Sequence, residues 1–147
     1  MTNRMAIALL ALIGVLVSAY MAAYKFGWLG AIACGTGACE TVQLSPWSVL
    51  FGVPVPVYGL VGYGALLVVA LLGLQPAFAD NRWIPLLLFA GAALGFLFSA
   101  YLSYLELYEI HAWCRWCIGS AVIATLIFGF SLPEARRLRA EATTETE

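Results

Sequence analysis

Four apolar runs separated by short polar breaks organise the chain: Met5 to Tyr24, Val53 to Leu74, Ile84 to Leu105 and Trp113 to Leu132. Each is about 20 residues long, the length at which a helix crosses the hydrocarbon core of a bilayer. The first three contain no charged residue, and the fourth carries Arg115 near one end. Pro54 and Pro56 fall in the first turn of the second run, where a missing N–H costs least. The pattern predicts an all-α integral membrane protein, a bundle of four transmembrane helices over residues 1–133. A charged, Thr-rich tail over residues 134–147 is expected to be disordered. The alternative for the first run is a signal peptide, preceded by Arg4 and ending near Ser18 and Ala19. The run is longer than the usual 7–15-residue signal core, so a spanning helix is the preferred reading.

Composition strengthens this picture. The 147 residues are 63% hydrophobic and only 10% charged, against about 25% charged in an average soluble domain. The net charge of −1 gives no reason to expect nucleic acid. Basic residues then orient the bundle. Arg4, Arg82, Arg136, Arg137 and Arg139 fall on one side of a four-span topology, and Lys25 and Arg115 on the other. The positive-inside rule puts both termini in the cytoplasm.

The connection after the first run has its own punctuation. Ser45 before Pro46 reads as an N-cap with proline at the first helical position. A short helix from Pro46 to about Phe51 is expected to lie in the interface, with Trp47, Leu50 and Phe51 on one side. Such a segment serves as a lid over a binding site or as an aromatic anchor. Tyr58 and Tyr63, in the outer half of the second run, are candidates for lining the same site.

The cysteines give the outer face its chemistry. The topology places Cys34 and Cys39 in the first outer loop and Cys114 and Cys117 at the start of the fourth helix, all on one face. In a bacterium that face borders the oxidising periplasm or exterior, where disulfides persist. Four cysteines allow three pairings, of which Cys34–Cys39 with Cys114–Cys117 is the sequence-local one. Haem attachment is excluded because Ile118, not histidine, follows Cys117. A zinc site fits the spacing and the membrane surface poorly. Plain structural disulfides compete with redox chemistry. The small ring of a three-apart pair is strained and labile, which favours redox. The helix N-terminus at Cys114 and the charge of Arg115 both favour a thiolate. Two neighbouring dithiols suggest a relay, from a protein partner in water to a two-electron acceptor in the lipid. A quinone meets that description. His111, the only histidine, is a candidate for proton transfer or simply a polar residue at headgroup level. Glu106 and Glu109 flank the same turn, and Glu106 reads as a proton path or as a helix-end charge in water. The non-enzymatic alternative is a soft-metal transporter or metal-binding membrane protein. It wants a polar path through the bilayer that the uncharged first three runs do not offer.

Three stretches taken together resemble the vitamin K epoxide reductase family in its bacterial branch. They are Cys34-Gly-Thr-Gly-Ala-Cys39, then Ser45-Pro46-Trp47 followed by Phe51-Gly52-Val53-Pro54, and then Tyr101 to Ala121 with its Cys-x-x-Cys. The resemblance covers about residues 8 to 130. It implies a four-helix bundle that holds a quinone, ubiquinone or menaquinone, near the outer surface, with no metal. It implies that Cys114 and Cys117 are the active-site pair, with Cys117 facing the quinone. Cys34 and Cys39 would be the shuttle, with Cys39 attacking Cys114 and Cys34 exchanging with a thioredoxin-fold protein. That partner is expected as a separate extracytoplasmic chain, and the bacterial inner membrane as the location. The family's serine at the Ser45 position supports the loop near the quinone. Animal members carry Thr-Tyr-Ala after the Cys-x-x-Cys, a motif linked to vitamin K. Here Gly119-Ser120-Ala121 follows, with Ala121 at the tyrosine position, so the resemblance does not extend to that feature.

Overall fold

The computed structural model describes residues 2–30 and 38–147. Helix α1 covers Thr2–Lys25, α3 Val55–Leu74, α4 Trp83–Leu105 and α5 Arg115–Glu145. All four are long and apolar enough to cross a membrane. The chain is therefore a multi-pass, all-α membrane bundle, as the hydrophobic pattern predicts. Short α2 covers Ala38–Leu44 between α1 and α3.

The interior is built for lipid rather than water. Ile7 and Ala11 of α1 meet Tyr63 and Leu66 of α3, Leu88 of α4 and Ile127 of α5 in one buried cluster. Leu9, Leu16, Val61, Val68 and Leu71 are exposed on the outside of the bundle. Lipid tails are as apolar as these side chains, so burial between helices brings little hydrophobic gain, and close packing on small residues matters more. Gly14 shows this. A Cβ there would sit 2.5 Å from Cδ1 of the Tyr63 ring. Gly59 likewise admits the Ser18 hydroxyl, 2.7 Å from where its Cβ would be.

One end of the bundle is tied by a buried cation. Arg4 donates from Nη1 to the carbonyls of Gly73 at 2.8 Å and Ala79 at 3.0 Å. Its Nη2 pairs with Glu134 Oε2 at 3.0 Å. These contacts join α1, the α3–α4 connection and α5. Arg4, expected as a solvated topology signal, is buried together with its partner.

Three local expectations change. The tail is not coil: α5 runs on to Glu145. Glu134 is held by Arg4, and the Ala, Arg, Leu and Glu residues that follow are strong helix formers. The helix of the outer loop lies earlier than expected, at Ala38–Leu44, and Pro46–Ser48 makes only a 3-10 turn. Beyond that turn Val49 pairs with Pro54 and Leu50 with Val53 in a two-residue-loop hairpin. Phe51 at φ 53° and Gly52 at φ 78° form its tip. Valines flanking a positive-φ glycine favour that hairpin over a helix. Ser45 does not cap forward either. Its Oγ donates back to the Val42 carbonyl at 2.8 Å and so closes the end of α2.

The Gly14–Tyr63 contact gives a direct test of packing. Gly14→Ala should lower stability in detergent by about 1–3 kcal/mol through overpacking. Gly64→Ala, where a Cβ meets nothing within 4 Å, should leave the melting temperature unchanged. Equal melting temperatures for the two variants would refute the close-approach account.

Candidate functional site

The site forms where α4 hands over to α5. At the end of α4 the helix widens into a π turn over Glu106–Ile110. His111 then takes left-handed angles, φ 56° and ψ 32°, which reverse the chain. Its N–H and that of Ala112 both return to the Glu106 carbonyl. Extended Cys114 caps α5, with its carbonyl accepting from Ile118 N–H at 2.9 Å. The loop is therefore short and fixed by its own backbone bonds.

Glu106 organises this turn with its side chain as well. It is only 5% exposed. Its Oε2 accepts the Cys114 N–H at 3.3 Å, and its carboxyl is in hydrogen-bonding contact with the Cys117 thiol. Arg115, expected beside the sulfurs, is exposed.

Cys39 and Cys114 are both fully buried and share one cluster with Met21 and Val42. Cys117 packs at its margin, as do Tyr20 and Trp116, whose rings lie 4.9 Å apart. Cys39 is disulfide-bonded, and Cys114 and Cys117 are free thiols. Cys34 lies outside the described residues.

A cavity of about 900 Å³ lies beside this cluster. Its wall runs along α3 and α4 and is almost wholly apolar, with Leu66, Val69, Leu97 and Phe98 among the lining residues. Cys117, Glu106 and Gln43 bring polar atoms to it. Tyr63 also reaches the wall, with its hydroxyl donating to the Ser120 carbonyl at 2.7 Å. A membrane bundle thus presents a dithiol, one sulfur of it on an apolar cavity, next to a further cysteine in a disulfide. The model of the Vitamin K epoxide reductase family matches residues 5–132 of this chain. The chain belongs to that family. Membrane thiol oxidoreductase chemistry follows from membership.

The remaining candidates divide. Trp47 and Tyr58 lie on the cavity wall, and the Tyr58 hydroxyl donates to the Leu50 carbonyl at 2.8 Å, holding the hairpin against α3. Ser45 is not on the wall; its hydroxyl is used within the loop. Phe51 is 91% exposed at the hairpin tip and away from the cavity, because a two-residue turn projects its side chains outward. His111 is exposed and off the wall as well; its place in the left-handed reversal serves the backbone. Sequence reasoning raises Glu106 only as one of two options and passes over Gln43. A glutamate eight residues before Cys114 and a glutamine one helical turn after Cys39 are the available signals. Lys25 carries only a topological meaning in the sequence. In the fold it donates to the Gln43 carbonyl and, at 2.7 Å, to Ser48 Oγ, fastening α2 and the 3-10 turn to the end of α1.

At the start of α5 the Cys114 thiol is held below its ordinary titration range. The Cys117 side chain bonded to it is the chief cause, and the N–H groups of Cys117 and Trp116 add to the effect. Burial and the Glu106 carboxylate work against it. The lowered value means that thiolate is already present at pH values where a free cysteine is protonated. Cys117→Ala should therefore move the thiolate absorbance of Cys114 to higher pH. An unchanged titration would remove Cys117 as the cause.

Proposed function

We propose that the protein oxidises the dithiol of an extracytoplasmic thioredoxin-fold protein and delivers the electrons to a membrane quinone. The reading rests chiefly on one observation. Cys117 lies on the cavity wall, while Cys114 packs with Cys39 in a buried cluster. One sulfur of the pair thus faces the space open to a lipid-soluble acceptor, and the other faces the loop cysteine. The cavity suits such an acceptor: its volume lies within the range of about 300–1,000 Å³ typical of ligand sites, and its walls are apolar.

Electrons pass through successive thiol–disulfide exchanges. The partner's dithiol reduces the Cys34–Cys39 disulfide through Cys34. The Cys39 thiolate attacks Cys114 Sγ of a Cys114–Cys117 disulfide, and Cys117 leaves as thiolate. Cys34 then attacks Cys39, re-forming the loop disulfide, and Cys114 leaves. Its lowered titration makes it a good leaving group at this step. The loop pair is now oxidised and the membrane pair reduced, which is the state of Cys39, Cys114 and Cys117 in the structure. A bound quinone accepts two electrons and two protons. The chain's part is to present Cys117 to it, to keep Cys114 at hand to close the disulfide, and to hold the Glu106 carboxyl beside the Cys117 proton.

Location follows the charge. The end of the bundle that carries Arg4, Arg82 and Glu145 is the cytoplasmic end on the positive-inside rule, with Arg82 pairing to Glu145 at 3.6 Å. The cysteine end then faces the periplasmic side of a bacterial inner membrane.

Two experiments bear on this. Purified protein given a reduced thioredoxin-fold donor should reduce a soluble quinone, and Cys117→Ala should abolish that turnover; no turnover in the parent protein would sink the proposal. Removing the two thiols outside that bond, in Cys34→Ala with Cys117→Ala, should trap a Cys39–Cys114 bond. Mass spectrometry of the unreduced double variant would show a peptide joining residues 39 and 114, and two free thiols there would rule the relay out.

A further inference from the structure

Gln43 occupies an unusual position. It lies four residues after Cys39 on α2, and residues at that spacing share a helix face. That face is turned inward: Gln43 is 3% exposed and its side chain is on the cavity wall. Its backbone carbonyl is taken by the Lys25 ammonium. Its Oε1 has no hydrogen-bond partner among the described residues. A buried polar group left unsatisfied costs stability, so an unpaired amide oxygen on a residue that lines the cavity points to a ligand with a hydrogen-bond donor, as a quinol has.

The quinone reading supplies a ligand of the right chemistry, and the role assigned to Gln43 rests on that reading. We propose that the Gln43 amide is the group that hydrogen-bonds a ring oxygen of the quinone bound beside Cys117. An amide suits both redox forms of such a ligand. Its N–H₂ donates to the carbonyl oxygen of the quinone, and its oxygen accepts from the hydroxyl of the quinol after half a turn about the Cγ–Cδ bond. A hydroxyl or carboxylate in the same place serves one form better than the other. Ser18, Ser99, Tyr101 and Ser103 also line the cavity, while other polar groups on the wall are already engaged. Tyr63 is already bonded to Ser120, Tyr58 to Leu50 and Ser48 to Ser45. Glu106 is engaged with Cys114 and Cys117.

The assignment predicts a split between the two substrates. Gln43→Met keeps the volume and removes the amide. With dithiothreitol reducing the membrane pair directly and menadione as acceptor, its KM for menadione should rise about tenfold, the equivalent of one hydrogen bond of about 1.4 kcal/mol. Its KM for dithiothreitol should stay within about twofold of the parent. Without quinone the variant should melt no lower than the parent, since an unsatisfied buried group has been removed, and the upward melting shift caused by menadione should shrink. Gln43→Asn, which retains the amide on a shorter stem, should fall between parent and Gln43→Met. A parent-like KM for menadione in Gln43→Met overturns the assignment while leaving the quinone reading intact. Failure of both variants to fold makes Gln43 a structural residue and overturns it too. A parent protein that neither turns over nor is stabilised by menadione removes the quinone reading and this assignment with it.

Discussion

The hydrogen bond from the Cys114 N–H to the buried Glu106 carboxylate sits where every functional requirement of this bundle meets. Cys114 must end an extended segment, begin a helix and stay against Cys39. Cys117 must lie one turn away and reach the cavity. A first-turn N–H of a helix has no partner within the helix, and a cap is normally a hydroxyl or carboxylate from the preceding residue. Here the acceptor comes instead from the end of the previous spanning helix, eight residues back. The π turn makes this reach feasible, since the wider turn and the left-handed His111 return the chain toward Glu106. Both contacts of the dithiol therefore come from Glu106, the first residue after α4, and the geometry of the thiol pair is inherited from the packing of α4 on α5.

That packing is in turn set from the far end. Arg4 and Glu134 are charges removed from water, and a buried pair is stable only when its remaining hydrogen-bonding groups are also satisfied. The Gly73 and Ala79 carbonyls meet most of that demand. Gly73 has no room for a side chain: a Cβ would lie 2.6 Å from Ile84 Cγ2 and 3.1 Å from Arg4 Cδ. With the Arg4 end closed by polar bonds and the α1–α3 seam closed by Gly14 against Tyr63, the looser α3–α4 side is where the cavity forms.

Much of this is legible in the sequence because it depends on segment length and residue type. Four apolar runs give four spans with small errors at their ends; the second helix begins at Val55 because Val53 and Pro54 belong to the hairpin. The family can be read for the same reason, since Cys-x-x-Cys and the order of the motifs are local patterns. The misreadings share a different cause. Ser45, Phe51 and His111 stand out for what their side chains can do in isolation, whereas the fold uses Ser45 to close α2, exposes Phe51 at a turn and employs His111 for its backbone angles. Charge alone makes the tail look disordered, and a single buried partner, Arg4, makes its first residue part of the core. Glu106 and Gln43 matter because of what surrounds them, and burial among residues far away in sequence has no one-dimensional signature.

Lys25 fastens the short helix that carries both Cys39 and Gln43. Its ammonium bonds Gln43 on α2 and Ser48 in the 3-10 turn, and Ser48 in turn bonds the Ser45 carbonyl. Cys39 lies one turn before Gln43 on the same short helix. A seven-residue helix is too short to be stable alone, so α2 keeps its place only through such outside contacts. The cation at the end of α1 thus holds in register the cysteine that faces Cys114 and the amide that faces the cavity. Any shift of α2 must move both together. The same contacts that hold Cys39 against Cys114 therefore also hold Gln43 at the cavity.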